Sequence, residues 1–232
     1  LLALLRKNFI IARELLAAGA TVDMVKEVMG KERMTVLMEA AMNNWLDAVR
    51  LLFEFNANPN VVDKRGATAL YCATENGHAA MTRLIVEHGA NLNKQTVLGN
   101  TALHAAADKG HIECVHILLD AGAEIDFKNK KGRTPAKCAL LFKHSPTLEL
   151  LLRYGADAHL AAVLPDMKIA SEEEKKDVGG ILGALNHQPS VVHLLADHGG
   201  ICQKEELDYQ MSFNGCTQVL RALRQVGCDA WC

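Results

Sequence analysis

Aromatic residues are scarce in this sequence of 232 residues: they make up 5% of it, against a hydrophobic share of 50%. A core of that composition has to be assembled from Leu, Ala, Val, Ile and Met, which suits closely packed helices better than a sandwich of strands. A surplus of one charge is missing too. Lys and Arg number 25 against 27 Asp and Glu, for a formal net charge of −2. That balance argues against a chain organised as a whole around nucleic acid or an anionic membrane. No apolar run approaches the ~18–20 residues that cross a bilayer. The opening segment is rich in leucine, but Arg6, Lys7, Arg13 and Glu14 interrupt it. It has no charged stretch ahead of a clean apolar one, so it lacks the form of a signal peptide. The seven cysteines have no framework spacing. They are expected to be reduced thiols of a cytoplasmic or nuclear protein, most of them packed as small hydrophobes.

What the sequence does have is a period. Asp63 to Gln95, Thr96 to Lys128 and Asn129 to Ala161 are three consecutive blocks of 33 residues that abut without a gap. Thr35, Thr68, Thr101 and Thr134 recur at that spacing, as do Gly66, Gly99 and Gly132. Gly89, Gly122 and Gly155 form a further series, followed by Ala90, Ala123 and Ala156. The block from Gly30 to Val62 keeps the register, with Arg33 and Asn56 standing where the other blocks have glycine.

Elementary chemistry explains these residues. A threonine ahead of an alanine-rich stretch is a good helix N-cap, because its hydroxyl accepts a backbone N–H of the first turn. Pro135, just after Thr134, is harmless at the first helical position. Ala105, Ala106 and Ala107 let neighbouring helices approach closely. Gly77 and Gly110 end the first helix where a left-handed residue is needed, and His78 and His111 follow as the second helix opens. Ile112, Val115, Leu118 and Leu119 predict the buried stripe of that second helix, and Gly122 closes it. One such module cannot bury its own apolar face, so stacking is obligatory.

Thr101-Ala102-Leu103-His104-Ala105-Ala106 and Thr68-Ala69-Leu70-Tyr71-Cys72-Ala73 carry a family likeness. With the period, they resemble the ankyrin repeat and its T-P-L-H-x-A signature. Thr134-Pro135-Ala136-Lys137 keeps the proline of that signature but loses its Leu-His pair. The in-phase similarity covers residues 30–161. The resemblance implies an all-α solenoid, a single domain over 1–232 of about seven helix-turn-helix repeats with hairpin-like fingers. Their expected bounds are 1–29, 30–62, 63–95, 96–128 and 129–161, then an insertion at 162–172, then 173–200 and 201–232. In the first repeat Leu15 and Leu16 precede Gly19-Ala20, and about four extra residues lie around Met24 to Met29. The terminal repeats are degenerate. Ser171 to Asp177 reads as a charged loop or helix start. Val191, Val192, Leu194, Leu195 and Gly199 recover a second-helix ending, and Val219, Leu220, Leu223 and Gly227 give a last one.

A search for chemistry ends without a catalytic set, and no cofactor is expected. The resemblance implies a structural hydrogen bond from His104 to a neighbouring finger. His78, His88, His111, His116, His193 and His198 are spread over the repeats rather than converging. Cys202, Cys216, Cys228 and Cys232 are the best candidates for a metal, with His198 just ahead. Only Cys228 and Cys232 form a tight pair, whereas structural zinc wants two, so packed or incidental thiols are favoured. Cys72, Cys114 and Cys138 fall at packing positions. Neither a phosphate loop nor a strand-led G-x-G-x-x-G is present; the run Gly179 to Gly183 reads as a loosened terminal repeat.

The resemblance further implies that first helices and finger tips line a concave surface whose residues are released from packing. Those positions hold Met34, Met42, Asn43, Arg65, Tyr71, Glu75, Asn76, Val97, Leu98, Asn100, Asp108, Lys109, Lys131, Arg133, Leu141 and Phe142. Val97-Leu98 at a finger tip and Leu141-Phe142 at a helix end are apolar where polar residues are commoner, a mark of a binding surface. Lys128, Lys130, Lys131 and Arg133 make one finger basic, suited to steering an acidic segment. Trp45 is expected between helix pairs, and Tyr71 stands where repeats carry histidine. The expected function is a non-catalytic scaffold binding another protein or an extended peptide, without membrane insertion and with nucleic acid disfavoured. Two alternatives stand beside it. One is a reader of a small ligand or modified peptide. The other is an ankyrin segment of a larger enzyme, receptor or channel, which the leucine at position 1 leaves open.

Overall fold

The computed structural model describes residues 9–23, 25–28, 31–162 and 189–198. Two compact units divide the chain: Leu1–Ala106 with His111–Gly132, and Ala107–Gly110 with Arg133–Cys232. The insertion expected at 162–172, apart from its first residue, the charged stretch Ser171–Asp177, the Gly179–Gly183 run, the repeat around Val219 and the cysteines at 202, 216, 228 and 232 lie outside the described residues.

In the first unit the elements run α1 (Phe9–Ala17), β1 (Val25–Val28), β2 (Lys31–Thr35), α2 (Val36–Met42), α3 (Leu46–Glu54), α4 (Ala69–Glu75) and α5 (Ala79–Glu87). Next come α6 (Ala102–Lys109), whose last residues belong to the second unit, and α7 (Ile112–Asp120). First and second helices alternate, as the 33-residue period requires. Each first helix starts from a threonine. The hydroxyls of Thr35 and Thr68 accept the amide N–H of Met38 and Tyr71, both at 3.2 Å, and a cap of this kind stabilises a helix by about 1 kcal/mol. Thr101 differs. The amide of His104 approaches its oxygen only at 3.5 Å, while the imidazole Nδ1 sits 2.9 Å from the hydroxyl and accepts the Thr101 N–H at 3.2 Å.

First helices end at a left-handed residue, at Asn44 (φ 57) and Gly77 (φ 73) in this unit. Glycine at 77 has a packing reason besides its φ: a Cβ there would stand 2.6 Å from the His111 ring. The second helices then bury an aliphatic stripe, Leu52, Ile85 and Leu118 being equivalent and fully enclosed. Each such side chain contributes roughly 1.5–3 kcal/mol. The stripe expected in α7 needs one correction. Ile112 is 37% exposed, because it is the first residue of its helix and sits ahead of the packed turn; Cys114, Val115, Ile117, Leu118 and Leu119 are buried. Within the unit α2 packs on α4, α3 on α5, and α5 on α7.

The first finger is a two-stranded antiparallel ribbon pairing Val25 with Thr35, Lys26 with Met34 and Val28 with Lys31. Of the extra residues expected around Met24 to Met29, Val25–Val28 form its first strand, and Met24 and Met29 lie outside the described residues. Arg33 lies in β2 at the position where the later fingers turn through Gly66, Gly99 and Gly132. Helix α1 is less enclosed: Ala12 is buried, whereas Leu15 is exposed and Leu16 half-buried.

The second unit repeats the local design in α8 (Pro135–Leu141), α9 (Ser145–Arg153), α10 (Ala158–Ala162) and α11 (Pro189–Asp197). Thr134 caps α8 through the Lys137 N–H at 3.2 Å, with Pro135 at its first turn. Gly110 (φ 72) and Lys143 (φ 63) are the left-handed residues here, and a Cβ on Gly110 would stand 2.6 Å from the His144 ring. Leu148 and Leu151 are fully enclosed, as are Val191 and Leu195 of α11. Thr147 stands one repeat beyond Cys114, and its buried hydroxyl has no hydrogen-bond partner.

Candidate partner-binding surface

The fingers of the first unit are built alike. Asp63, Thr96 and Asn129 open them, and each turns its side-chain oxygen onto the finger's own backbone. Asp63 Oδ1 accepts the N–H of Arg65 (2.9 Å) and Ala67 (2.7 Å), Thr96 Oγ1 that of Asn100 (3.1 Å), and Asn129 Oδ1 that of Lys131 (2.9 Å). Short polar side chains serve here because they reach a backbone donor two to four residues on. Adjacent fingers are then joined through their backbones. Val97 N–H donates to the Arg65 carbonyl (2.7 Å) and Lys130 N–H to the Leu98 carbonyl (3.1 Å). Gly99 makes the second contact possible, since a Cβ on it would lie 2.7 Å from Lys130 N.

This construction displays three equivalent tip pairs side by side: Lys64-Arg65, Val97-Leu98 and Lys130-Lys131. All six residues are exposed, Val97 by 56% and Leu98 by 60%. Arg65 turns back onto its own finger, its Nε 3.1 Å from Asp63 Oδ2. Asn100 is half-buried and helps hold the fingers together, its Oδ1 accepting from Asn129 Nδ2 at 2.8 Å.

A second exposed row lies at the ends of the first helices. In this unit it comprises Met42 and Asn43 after α2, and Glu75 and Asn76 after α4, of which Glu75 is half-buried. Asn43 and Asn76 each donate a side-chain N–H to the carbonyl four residues back, at 2.8 Å. Met34 and Tyr71 are half-buried, as is Trp45 at the start of α3. In the second unit the positions equivalent by the repeat are Asp108-Lys109 and Leu141-Phe142. Phe142 is 49% exposed, Leu141 and Arg133 are half-buried, and Lys109 pairs with Asp108 at 3.7 Å.

Two systems of polar contacts underlie these rows and were missed in the sequence. Histidines at the start of second helices reach back one repeat. His78 Nε2 donates to the Met42 carbonyl (3.1 Å) and, in the second unit, His144 Nε2 to that of Asp108 (3.0 Å). Both carbonyls are among those a helix end leaves unsatisfied. The recurrence of His78, His111 and His144 at 33 residues was the available signal. Asn residues make the other system, a ladder running across the first unit. Asp23 accepts the Asn58 N–H (3.1 Å), Asn58 that of Asn60 (2.9 Å) and Asn60 that of Asn91 (2.7 Å). Asn91 accepts from Asn93 (3.0 Å) and Asn93 from Glu124 (3.0 Å).

The buried chemistry is quiet. Cys72, Cys114 and Cys138 are buried and form no disulfide. Burial pushes the Cys114 thiol above its ordinary value of 9.0, opposed by the hydrogen bond with Thr82 and reinforced by Glu113, and a neutral thiol is a poor nucleophile. His88 stacks on Phe53, with ring centroids 4.1 Å apart. Arg13, Asp47, Arg50, Leu51 and Glu54 line an open cleft of 270 Å³ whose charges are mixed, Arg13 pairing with Glu54 at 2.6 Å. Among the described residues no group of His, Cys, Asp or Glu is gathered to hold a metal ion, and no helix is long and apolar enough to cross a membrane.

Threonine-capped helix pairs joined by stacked fingers define a helical repeat protein. The family model described as ankyrin repeats (3 copies) matches residues 1–96 and 93–162, and the chain belongs to the ankyrin-repeat family. No curated protein matches it. Ankyrin repeats generally mediate protein–protein interaction, and such domains are typically non-catalytic.

Proposed function

We propose that this protein is a non-catalytic scaffold of the cytoplasm or nucleus that holds a partner protein, or an extended segment of one, on the concave face formed by first-helix ends and finger tips. One observation carries the reading. Met42-Asn43 and Glu75-Asn76 are equivalent positions that stay at least partly open to solvent, in helices whose other residues are mostly buried. The packing that fixes the helices leaves these ends free to differ, and they do differ: Met-Asn, then Glu-Asn, then Asp-Lys and Leu-Phe in the second unit. Exposed positions that vary over a constant scaffold are where specificity resides, because changing them costs little stability. Cys72, Cys114 and Cys138 are buried and form no disulfide, which suits a reducing compartment.

The test is affinity capture from cell lysate with quantitative mass spectrometry, comparing the unaltered chain with Met42→Lys and Glu75→Lys combined. Circular dichroism is measured first to establish that the variant is folded. Partner proteins are expected to fall about tenfold or more in the variant capture, the size of a hot-spot loss. Equal recovery by both chains overturns the assignment of this face.

A further inference from the structure

The three central finger tips are not equivalent in chemistry. Lys64-Arg65, Val97-Leu98 and Lys130-Lys131 occupy the same position of successive repeats, and backbone hydrogen bonds at 2.7 and 3.1 Å hold them in a row. An exposed aliphatic pair is therefore fixed between two basic pairs. The acidic group nearest this row in sequence, Asp63, is buried, and its oxygens are engaged by the Arg65 and Ala67 amides and by Arg65 Nε. Lys64 and Lys130 are exposed, and the three tip pairs together hold four cationic side chains and no carboxylate.

We infer that the finger ridge of the first unit receives an extended acidic peptide segment interrupted by one large apolar side chain. The apolar residue rests on Val97 and Leu98, and carboxylates on either side meet Lys64 and Arg65 at one flank and Lys130 and Lys131 at the other. Complementary charge steers the segment and sets its register, while the apolar contact at the centre supplies the desolvated anchor. Nucleic acid fits the same ridge less well. A strand-binding surface interleaves its cations with aromatic rings on which bases stack, and the tips here carry aliphatic side chains at their centre. This inference names the partner class for the scaffold proposed above and rests on that reading.

The experiment is fluorescence anisotropy of a labelled peptide with one phenylalanine between two runs of glutamate, titrated with the intact chain. Saturable binding is expected, weakening steeply from low to high salt as exposed charges are screened within a Debye length of ~10 Å at 0.1 M. Lys64→Glu with Lys130→Glu should weaken it about tenfold or more, as should Leu98→Asp. Replacing the phenylalanine by serine should cost about as much as Leu98→Asp. No binding, or equal binding by the charge-reversed chain or by the serine peptide, overturns the inference; so does tighter binding of a single-stranded oligonucleotide to the same ridge. If the peptide fails while capture still depends on Met42 and Glu75, the partner class is wrong and the scaffold reading stands. If the peptide binds as described while capture is indifferent to those residues, the ridge is the binding surface and the helix ends are not.

Discussion

Second helices and finger tips of the first unit obey the same period but use it in opposite ways. At one second-helix position the residues are Leu52, Ile85 and Leu118, all aliphatic and all fully enclosed. At the tips the corresponding triplet is Lys64-Arg65, Val97-Leu98 and Lys130-Lys131, exposed throughout and alternating in chemistry. The backbone geometry is equally regular in both regions, since threonine caps fix the helices and inter-finger hydrogen bonds fix the tips. What differs is the cost of change. A helix position is constrained by the neighbours it touches on both sides, whereas a tip is held by its backbone and its side chain contributes little to the hold.

Substitutions can break or sharpen that contrast. Leu118→Ala should be the most damaging, lowering unfolding free energy by about 2–5 kcal/mol through the cavity it leaves, as read from urea denaturation followed by circular dichroism. Gly99→Ala should come next, at about 1–3 kcal/mol. Its φ of 79 disfavours any side chain, and the added Cβ would meet Lys130 N at 2.7 Å. Gly122→Ala is the control: φ is 87 there but no atom lies within 4 Å of the added carbon. The difference between the two variants isolates the finger contact, and equal losses would show that the contact contributes nothing. Smallest of all should be Leu98→Asp, within about 0.5 kcal/mol of the unaltered chain. A larger loss would mean that the exposed leucine belongs to the stack rather than to its surface.

The period, the threonine caps and the enclosed alanines of the first helices were legible from the sequence, because each depends on contacts within one repeat or on positions that recur at a fixed spacing. The misreading of Ile112 has a local cause. It lies on the apolar stripe by spacing, but the first turn of a helix projects beyond the surface that the later turns cover. The contact of His104 Nδ1 with Thr101 of its own repeat was not foreseen, because it depends on the rotamer of a side chain three residues along the helix. The chemistry of the tips could be read, and their adjacency could not, because it depends on Val97 N–H finding the Arg65 carbonyl 32 residues earlier. The asparagine ladder stayed hidden for the same reason, since its links between repeats join residues 31 to 35 positions apart in apparent loops; the histidine links had a signal in the 33-residue recurrence of His78, His111 and His144, but not their carbonyl partners.

The asparagine ladder has a bearing on how such a chain can change length. Asn60 and Asn93 each accept an amide N–H from the following repeat, at Asn91 and Glu124. An amide is supplied by every residue except proline, so the acceptor recognises a place in the chain and not the side chain standing there. Asparagine and glutamate already serve interchangeably as donors. Excising or copying one whole 33-residue block would present an equivalent N–H to the same oxygen, so this one link across the junction would re-form without a compensating mutation. A link that is blind to its neighbour's identity survives duplication and recombination, so when the array is lengthened or shortened only the apolar packing at each new seam has to be fitted anew.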